Sequence, residues 1–526
     1  MLARCKTAAL QGLEARPVLV EVDLAPGLPG LQMVGLADAA VQEARERVRS
    51  ALRHSGLKVP LTRVVVNLAP ADLRKEGPAF DLPIALGLLV ASGQLAGERS
   101  EGVWSAGELG LDGALRPIRG VLAIAIAAQR QGARALLVPE GNAWEAALVS
   151  GLRVWGVRDL TQALWHLEHP NTDDQPRAGR RRSRAPGRAG EEAPDLADVK
   201  GQAHGRRALE IAAAGGHHLL LCGPPGSGKT MLARRLAGLL PPLNPAEALE
   251  LTALHSVAGL LDSSQGLLQE RPFRSPHHSC SAPALIGGGG QPQPGELALA
   301  HHGVLFLDEL TEFRRAVLDQ LRQPLEEGDV WIHRVRHRTR FPCRIILVAA
   351  TNPCPCGWWG DPERSCRCGE GQRRRYWGRL SGPLLDRIDL QVVMRRPSSE
   401  ALTAPFRGPR STASALPSGQ GACQAPESSA VVRQRVQRAR SRMAARNPDG
   451  CSNSHIPGGQ LQQVVRLEPD ALAVWEGALQ HRQLSARAGE RLLRVAQTIS
   501  DLGDQPGISA EAIAEALTYR SFDQQA

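Results

Sequence analysis

Apolar and polar positions along the first third of the chain alternate between two periods, which predicts a mixture of strands and helices. Alternating apolar residues predict strands over residues 18–24 and 62–68, and helical spacing predicts helices over 38–55 and 121–131. Because short strands and helices follow one another here, the pattern favours an α/β or α+β domain.

The middle of the chain has shorter and more uniformly apolar runs, which are typical of strands buried on both faces. Such strands are predicted at 217–222, 303–309 and 344–350, and a helix at 231–240. From residue 431 to the end, four stretches have helical spacing, so this part is predicted to be all helical.

Two stretches lack apolar periodicity and are rich in Pro, Gly, Ser or Arg, so they divide the chain. We predict domains at 1–167, 196–396 and 431–526, a basic linker at 168–195 and a low-complexity loop at 397–430. The arginine cluster at 177–188 is interpreted as a solvated tether, with a nucleic-acid contact as the alternative.

Composition narrows the class of protein. A chain of 526 residues is too long to fold around a single hydrophobic core, so several domains are expected. No run approaches 18 uninterrupted apolar residues, so no membrane span is expected. Without a secretory leader pattern we expect a cytoplasmic protein, in which the ten cysteines serve as thiols or metal ligands. The net charge of +10 makes a polyanionic partner plausible, although bulk charge is weak support.

A phosphate-binding loop is predicted between the strand at 217–222 and the helix that follows it. Backbone amides of such a loop cradle phosphates, the lysine reaches the β- and γ-phosphates of ATP, and the hydroxyl holds Mg²⁺. The loop comprises Gly223, Pro224, Pro225, Gly226, Ser227, Gly228, Lys229 and Thr230.

Two later strands end in polar residues that suit nucleotide hydrolysis. The strand at 303–309 delivers Asp308 as a Mg²⁺ ligand and Glu309 as the base for the attacking water. The strand at 344–350 is followed by Asn352, whose amide can bond the γ-phosphate or the lytic water, or can simply end the strand. Arg387 can stabilise a neighbouring subunit's nucleotide, or pair with Asp386 or Asp389.

Four cysteines lie close together in the loop 354–368, in two Cys-x-Cys pairs. Four thiolates can bind one Zn²⁺, although this spacing is tighter than usual and an ordinary reduced loop is the alternative. The candidate ligands are Cys354, Cys356, Cys366 and Cys368.

A basic hairpin is predicted over residues 329–340, where apolar and basic residues alternate. Its arginines are expected to share one face and to contact DNA, with a solvated basic edge as the alternative. They are Arg334, Arg336, Arg338 and Arg340.

Longer blocks of this sequence resemble the YifB/ComM family of magnesium-chelatase-like AAA+ ATPases. The blocks include FRSPHH, PGELALAHHGVLFLDEL, AATNPCPCGWWGDPE, SGPLLDRIDL and, near the start, PGLPGLQMVGLADAAVQEARERV. The resemblance implies a P-loop core with a helical lid, in which Asn352 is the first sensor and Arg387 a finger acting between subunits. It maps the second sensor to Arg487, with Arg491 as the alternative, and implies a ring expected to be a hexamer.

The N-terminal domain resembles the Lon protease family. It departs from that family at the two catalytic positions, so it is expected to be catalytically inert. Ala79 and Leu122 stand where that family has its serine and lysine. By family resemblance the chain is therefore expected to be an ATP-driven motor on single-stranded or branched DNA, acting as a helicase or in branch migration during recombination and natural transformation. A magnesium-chelatase ATPase subunit and a protein-remodelling ATPase are the alternatives.

Overall fold

The computed structural model of this chain describes residues 2–171, 194–261, 266–289, 292–334, 337–397 and 427–522. The arginine cluster predicted at 177–188 and nearly all of the loop predicted at 397–430 lie outside these ranges. Among the described residues, no helix is both long enough and apolar enough to span a bilayer.

The N-terminal domain is built on a seven-stranded mixed sheet with helices packed against it. Its strands are β1 Leu2–Gln11, β2 Glu14–Ala25, β3 Gly30–Val34, β4 Arg63–Ala69, β5 Val103–Ser105, β6 Glu108–Leu109, β7 Leu115–Arg116, β8 Ala135–Pro139 and β9 Arg153–Val157. Its helices are α1 Ala39–His54, α2 Asp81–Ala91, α3 Gly97–Ser100, α4 Val121–Arg130, α5 Glu140–Ala146 and α6 Leu160–Glu168.

The order of this sheet is β3-β4-β2-β1-β5-β8-β9, with β1, β2 and β4 antiparallel and the remaining pairs parallel. Every residue of α2 is buried, so this helix is the centre of the domain's core. Helix α1 begins where Asp38 accepts a hydrogen bond from the Val41 amide, 2.8 Å away, as a capping carboxylate should. Helices α1 and α4 confirm the helices predicted at 38–55 and 121–131.

The second domain contains a five-stranded parallel sheet in the order β11-β14-β17-β10-β18. Its strands and the hairpins beside it are β10 Leu219–Cys222, β11 Phe273–Arg274, β12 Gly287–Gly288, β13 Gln293–Pro294, β14 Val304–Leu307, β15 Asp329–Arg334, β16 His337–Pro342, β17 Ile346–Thr351 and β18 Leu390–Val393. Its helices are α7 Ala203–Gly215, α8 Lys229–Leu239, α9 Pro245–Ala258, α10 Ala282–Ile286, α11 Glu296–Leu299, α12 Arg315–Asp319, α13 Arg322–Glu327, α14 Glu370–Trp377 and α15 Gly382–Leu385.

Strands β10, β14 and β17 are fully buried, which explains their uniformly apolar sequences. Strand β17 lies between the other two, pairing Thr351 with Cys222 and Ala349 with Leu307. The carboxyl ends of the three strands therefore meet at one edge of the sheet, where open α/β proteins bind ligands.

The C-terminal region is helical, as predicted, and closes against the parallel sheet. Its helices are α16 Ser429–Arg446, α17 Gly458–Val464, α18 Pro469–His481, α19 Ala486–Leu502 and α20 Ala510–Thr518. Residues of α16 and α19 share one hydrophobic core with α7, α8 and β10. The hydroxyl of Ser429 accepts a hydrogen bond from the Leu196 amide at 2.7 Å, which joins the beginning of α16 to the beginning of the second domain.

The N-terminal domain is docked on the parallel-sheet domain through α9. Ala253 of α9 packs in the same apolar cluster as Leu122 and Ile124 of α4. Next to this cluster, the Ser256 hydroxyl donates a hydrogen bond of 2.5 Å to the buried carboxylate of Glu145. The two domains are thus joined by both apolar and polar contacts.

Candidate active site

The loop between β10 and α8 has the backbone that the phosphate-binding pattern predicts. Gly226 and Gly228 have φ angles of 78° and 89°, which side-chain-bearing residues rarely adopt. Gly223 is required for another reason, since a Cβ there would lie 2.5 Å from the carbonyl oxygen of Met394. The loop therefore wraps closely around the space in front of α8, whose N-terminus begins at Lys229.

Lys229 points back into this loop. Its ammonium donates hydrogen bonds to the carbonyls of Gly223 and Pro224, at 2.6 and 3.1 Å, and to Oδ1 of Asn352 at 3.1 Å. Burial lowers the pKa of Lys229. The structure thus brings together the lysine and the asparagine that the sequence predicted to contact the γ-phosphate.

Two oxygen ligands suited to Mg²⁺ meet beside the lysine. Thr230 is the second residue of α8 and Asp308 follows β14 directly. The threonine hydroxyl donates a hydrogen bond of 2.8 Å to the Asp308 carboxylate. A hydroxyl and a carboxylate are hard donors, and Mg²⁺ is commonly held by few protein oxygens with water and phosphate completing its shell. These two residues fit a nucleotide-bound Mg²⁺.

Glu309 is held in an unusual conformation next to this pair. Its φ is 52°, in the left-handed region, and its amide donates to Asp308 Oδ1 at 3.0 Å. Its carboxylate lies 3.1 Å from Nδ1 of His278 and is more than half exposed. Glu309 is thus accessible to water while its carboxylate contacts His278.

His278 is a residue of the site to which sequence reasoning gave no role. It is the last residue of the block FRSPHH, one of those that resemble the family. The signal that could have found it is its position: Phe273–Arg274 forms β11, which pairs with β14 just before Asp308 and Glu309. Polar residues that follow β11 therefore lie beside those that follow β14.

Arg387 makes neither of the ion pairs that the sequence suggested as alternatives. Its guanidinium pairs with Glu326 and donates to the Pro383 carbonyl at 2.7 Å. Asp389 is instead bonded by His217, at 3.2 Å, and by Arg491, at 3.3 Å. A role for Arg387 between subunits stays a prediction.

The two candidates for the second sensor differ in their surroundings. Arg487 lies in the first turn of α19 and is exposed, and none of the ion pairs found in the described ranges includes it. Arg491, one turn later, is mostly buried and contacts Asp389, which precedes β18. Arg491 is thus connected to the sheet and Arg487 is not, while the assignment itself stays a prediction.

The four cysteines of the loop 354–368 converge, with all four sulfurs within 4.8 Å of one another. Cys354 lies 3.3 Å from Cys356 and 3.6 Å from Cys366, and Cys356 lies 3.6 Å from Cys366. Thiolates at about 2.3 Å from a tetrahedral Zn²⁺ are separated by about 3.8 Å, so the cluster fits this ion.

The cysteine loop touches the phosphate-binding loop directly. Gly357 has a φ of 82°, and a Cβ there would lie 2.8 Å from Cδ of Pro225. Beside it, Arg364 lies over Trp358 at 4.5 Å and Arg373 over Trp359 at 5.4 Å. A change in the shape of the cysteine loop would therefore affect the position of the phosphate-binding loop.

The basic hairpin exists, but the prediction that its four arginines share one face is wrong. The register pairs His333 with Arg338 and Trp331 with Arg340, so these four positions lie on one face. Arg334 pairs with His337, at the parity of the opposite face, because only residues 335–336 separate the strands. Arg336 lies outside the described residues.

Comparison with known proteins gives likeness over almost the whole chain. Family models described as "Magnesium chelatase, subunit ChlI", "Subunit ChlI of Mg-chelatase" and "Magnesium chelatase, subunit ChlI C-terminal" match residues 195–402, 20–142 and 426–520. The chain is 44% identical to the uncharacterized protein YifB of Escherichia coli over 518 residues, covering 98% of this chain and 97% of that one.

Two further relatives add detail. The competence protein ComM of Haemophilus influenzae is 42% identical over 525 residues, covering 99% of this chain and 98% of its own length. Lon protease 2 of Bacillus subtilis is 31% identical over 147 residues, or 26% of each chain.

Proposed function

This chain belongs to the YifB/ComM family of magnesium-chelatase-like AAA+ ATPases, and from that premise we propose that it hydrolyses ATP as a ring-shaped oligomer and uses the energy to move on DNA. The observation that carries the proposal is the convergence of Lys229, Asn352, Thr230 and Asp308 at one edge of the parallel sheet. A cytoplasmic location is part of the same proposal, because ATP and DNA are both found there.

In the proposed mechanism, the loop amides and Lys229 bind the phosphates of ATP, and Lys229 exchanges its carbonyl partners for phosphate oxygens. Thr230 and Asp308 hold Mg²⁺, which when bound neutralises charge that develops on the transferred phosphoryl group. Asn352 orients the γ-phosphate or the attacking water. Glu309 accepts the proton of that water as its oxygen attacks phosphorus and the bond to ADP breaks.

Arg387 is the proposed contribution of a neighbouring subunit. To reach a partner's nucleotide it has to leave its ion pair with Glu326, so the assembled ring and the isolated chain would differ at this pair. A hexamer is the proposed assembly. Arg487, or Arg491 one turn later, is proposed to sense the nucleotide from the helical lid.

DNA is proposed as the partner for two reasons. The first is that ComM, a relative over nearly the full length, is described as a competence protein. The second is the exposed face of the hairpin that carries Arg338 and Arg340. Helicase activity or branch migration on single-stranded or branched DNA is the specific activity proposed.

The decisive experiment measures ATP hydrolysis with and without single-stranded, forked and four-way DNA, together with strand displacement on the same substrates. We expect stimulation by DNA, which is absent from a Lys229→Ala variant. Hydrolysis that is indifferent to every DNA would contradict the DNA motor and favour a protein-remodelling ATPase. The description of the matching family models supports the magnesium-chelatase role as a second candidate, for which Mg²⁺-porphyrin formation is the assay.

We also propose that Cys354, Cys356, Cys366 and Cys368 bind one structural Zn²⁺. Metal analysis of protein purified under reducing conditions should find one zinc per chain. A Cys366→Ser, Cys368→Ser double variant should contain none, and Cys280→Ser, outside the cluster, should retain it. Because Gly357 contacts Pro225, loss of zinc should also weaken nucleotide binding. Wild-type protein without zinc would contradict the site.

A further inference from the structure

A groove with a volume of about 910 Å³ lies between the N-terminal domain and the basic hairpin. One wall is formed by the turn between β1 and β2 and by the end of α4, the other by β15 and β16, and the floor by α9. The groove is separate from the nucleotide site, and none of its residues takes part in the proposed hydrolysis.

The hairpin wall presents an aromatic ring and a guanidinium together. Trp331 is half-buried, and Arg338 lies over its ring with 4.1 Å between the guanidinium carbon and the ring centroid. A tryptophan face is a platform on which an unpaired base can stack, and stacking of this kind is worth about 1–3 kcal/mol per base.

The wall across the groove is basic as well. Arg16, near the start of β2, and Arg130, the last residue of α4, are both exposed. In the part of the chain that the structure describes, no ion pair involves Arg16, Arg130 or Arg338. Three arginines from two domains therefore line one groove, and none of them is engaged in an ion pair within the described residues.

Few acidic residues lie near the groove, and most of them contact a basic side chain or a histidine. Asp329 pairs with Arg340 at 2.8 Å, and the carboxylate of Glu250 lies 3.0 Å from Nε2 of His302 and 3.3 Å from Nε2 of His301. Glu14 is the remaining carboxylate of the lining. The lining thus carries more arginines than carboxylates, which gives the groove an excess of positive charge.

We propose that a single strand of nucleic acid lies in this groove, and that the N-terminal domain, although inert as a protease, supplies one of its two walls. The inference rests on the proposed action on DNA and deepens it, because it gives the N-terminal domain a role. A single strand fits better than a duplex, since stacking on Trp331 needs a base that is not paired.

The test measures binding of fluorescent 20-nucleotide dT and rU strands to the full chain by anisotropy, at several salt concentrations. We expect Arg16→Glu and Arg130→Glu each to weaken binding by about five- to tenfold, and Arg130→Ala to reduce the salt dependence by about one phosphate contact. Arg130→Lys should retain most of the affinity. Arg99→Glu, an exposed arginine of the N-terminal domain outside the groove, should bind like the wild type.

The outcomes separate this inference from the proposed function. If Trp331→Ala weakens binding while Arg16→Glu and Arg130→Glu do not, the groove is contradicted and the DNA motor survives. If the wild type binds neither strand, with or without nucleotide, both fail. Photocrosslinking of 5-iodouracil strands gives an independent readout: crosslinks in residues 11–17 or 123–131 support the groove, and crosslinks confined to the ATPase domain overturn it.

Discussion

The N-terminal domain and the parallel-sheet domain use their polar residues in opposite ways. In the parallel sheet, Lys229, Asp308 and Asn352 follow buried strands and meet at an open edge, where a ligand can reach them. In the N-terminal domain, the charged pair between Arg47 of α1 and Asp81 of α2 is turned inward, and the Asp81 side chain has no exposed surface. The first arrangement suits chemistry, and the second holds a fold together.

The same contrast holds for the positions compared with a protease. Ala79 lines a cavity of about 460 Å³ and Leu122 is completely buried in α4, so neither offers a hydroxyl or an amine to a substrate. The N-terminal domain retains a sheet, a core and a cavity without nucleophilic chemistry at these positions. The groove proposal gives this domain a role that needs only its surface.

The largest expected effect is on catalysis, from a change at the edge of the parallel sheet. Glu309→Gln should retain ATP binding and lower the hydrolysis rate by about 10²–10⁴-fold, because the amide cannot accept the proton of the attacking water. Steady-state ATPase assays and nucleotide-binding fluorescence measure the two properties separately. Ala79→Ser is the matched change in the other domain and should leave hydrolysis unaltered.

A Glu309→Gln variant that hydrolyses ATP at the wild-type rate would remove Glu309 from its proposed role. The comparison between the domains would fail in another way if the wild type hydrolysed peptides and the Glu309→Gln variant retained that activity. The N-terminal domain would then carry chemistry of its own.

Local signals in the sequence predicted most of this contrast. The strand, loop and helix around Lys229 lie within about twenty residues of one another, so spacing alone placed the lysine correctly. Contacts between distant segments could not be read in this way. Arg387 and Glu326 are 61 residues apart, and nothing local indicates that they pair.

The hairpin shows that periodicity can predict the strands correctly while the length of the turn decides which face each side chain occupies. The alternation of basic residues over 329–340 correctly predicted two strands, but the face of each arginine depends on how many residues the turn contains. His278 was missed for a related reason, because its nearness to Glu309 follows from the order of strands in the sheet.

The next effect is on stability, from the inward-facing ion pair between helices α1 and α2 of the N-terminal domain. Arg47 donates two hydrogen bonds to Asp81, at 2.7 and 3.0 Å. Arg47→Ala should lower the free energy of unfolding by about 3–5 kcal/mol, because it leaves the buried Asp81 carboxylate without its positively charged partner. Chemical denaturation measures this change.

Two variants make this prediction specific. Arg47→Met combined with Asp81→Asn should recover part of the loss, since no charge is then left buried. Arg158→Ala removes an ion pair with Glu140 on the surface of the same domain and should scarcely change the unfolding midpoint. Equal losses from Arg47→Ala and Arg158→Ala would show that inward and outward pairs of this domain do not differ.

The smallest expected effect lies at the contact between the two domains. Ser256 donates to Glu145, whose other carboxylate oxygen accepts from Asn142 at 2.7 Å. Ser256→Ala should destabilise the docked chain by about 1–3 kcal/mol, because a hydrogen bond to a buried charged group is lost. Hydrogen exchange of α5 and α9 should report the weakened contact. It should be unchanged in Ser279→Ala, whose exposed hydroxyl contacts the ring of His277.

The pH dependence of this contact follows from Glu145. Burial raises its pKa in the folded chain, against the lowering effect of its hydrogen bonds. The unfolded chain therefore releases its proton first, above a pH of about 4.3, and the contribution of Glu145 to stability declines as the pH rises from there to the folded pKa. Glu145→Gln cannot ionise, so it should lose this decline, and denaturation of both proteins between pH 4.5 and 8 tests it. A wild type whose stability, relative to Glu145→Gln, rises with pH would show that hydrogen bonding outweighs burial and that the contact is electrostatic in origin, like those at the edge of the parallel sheet.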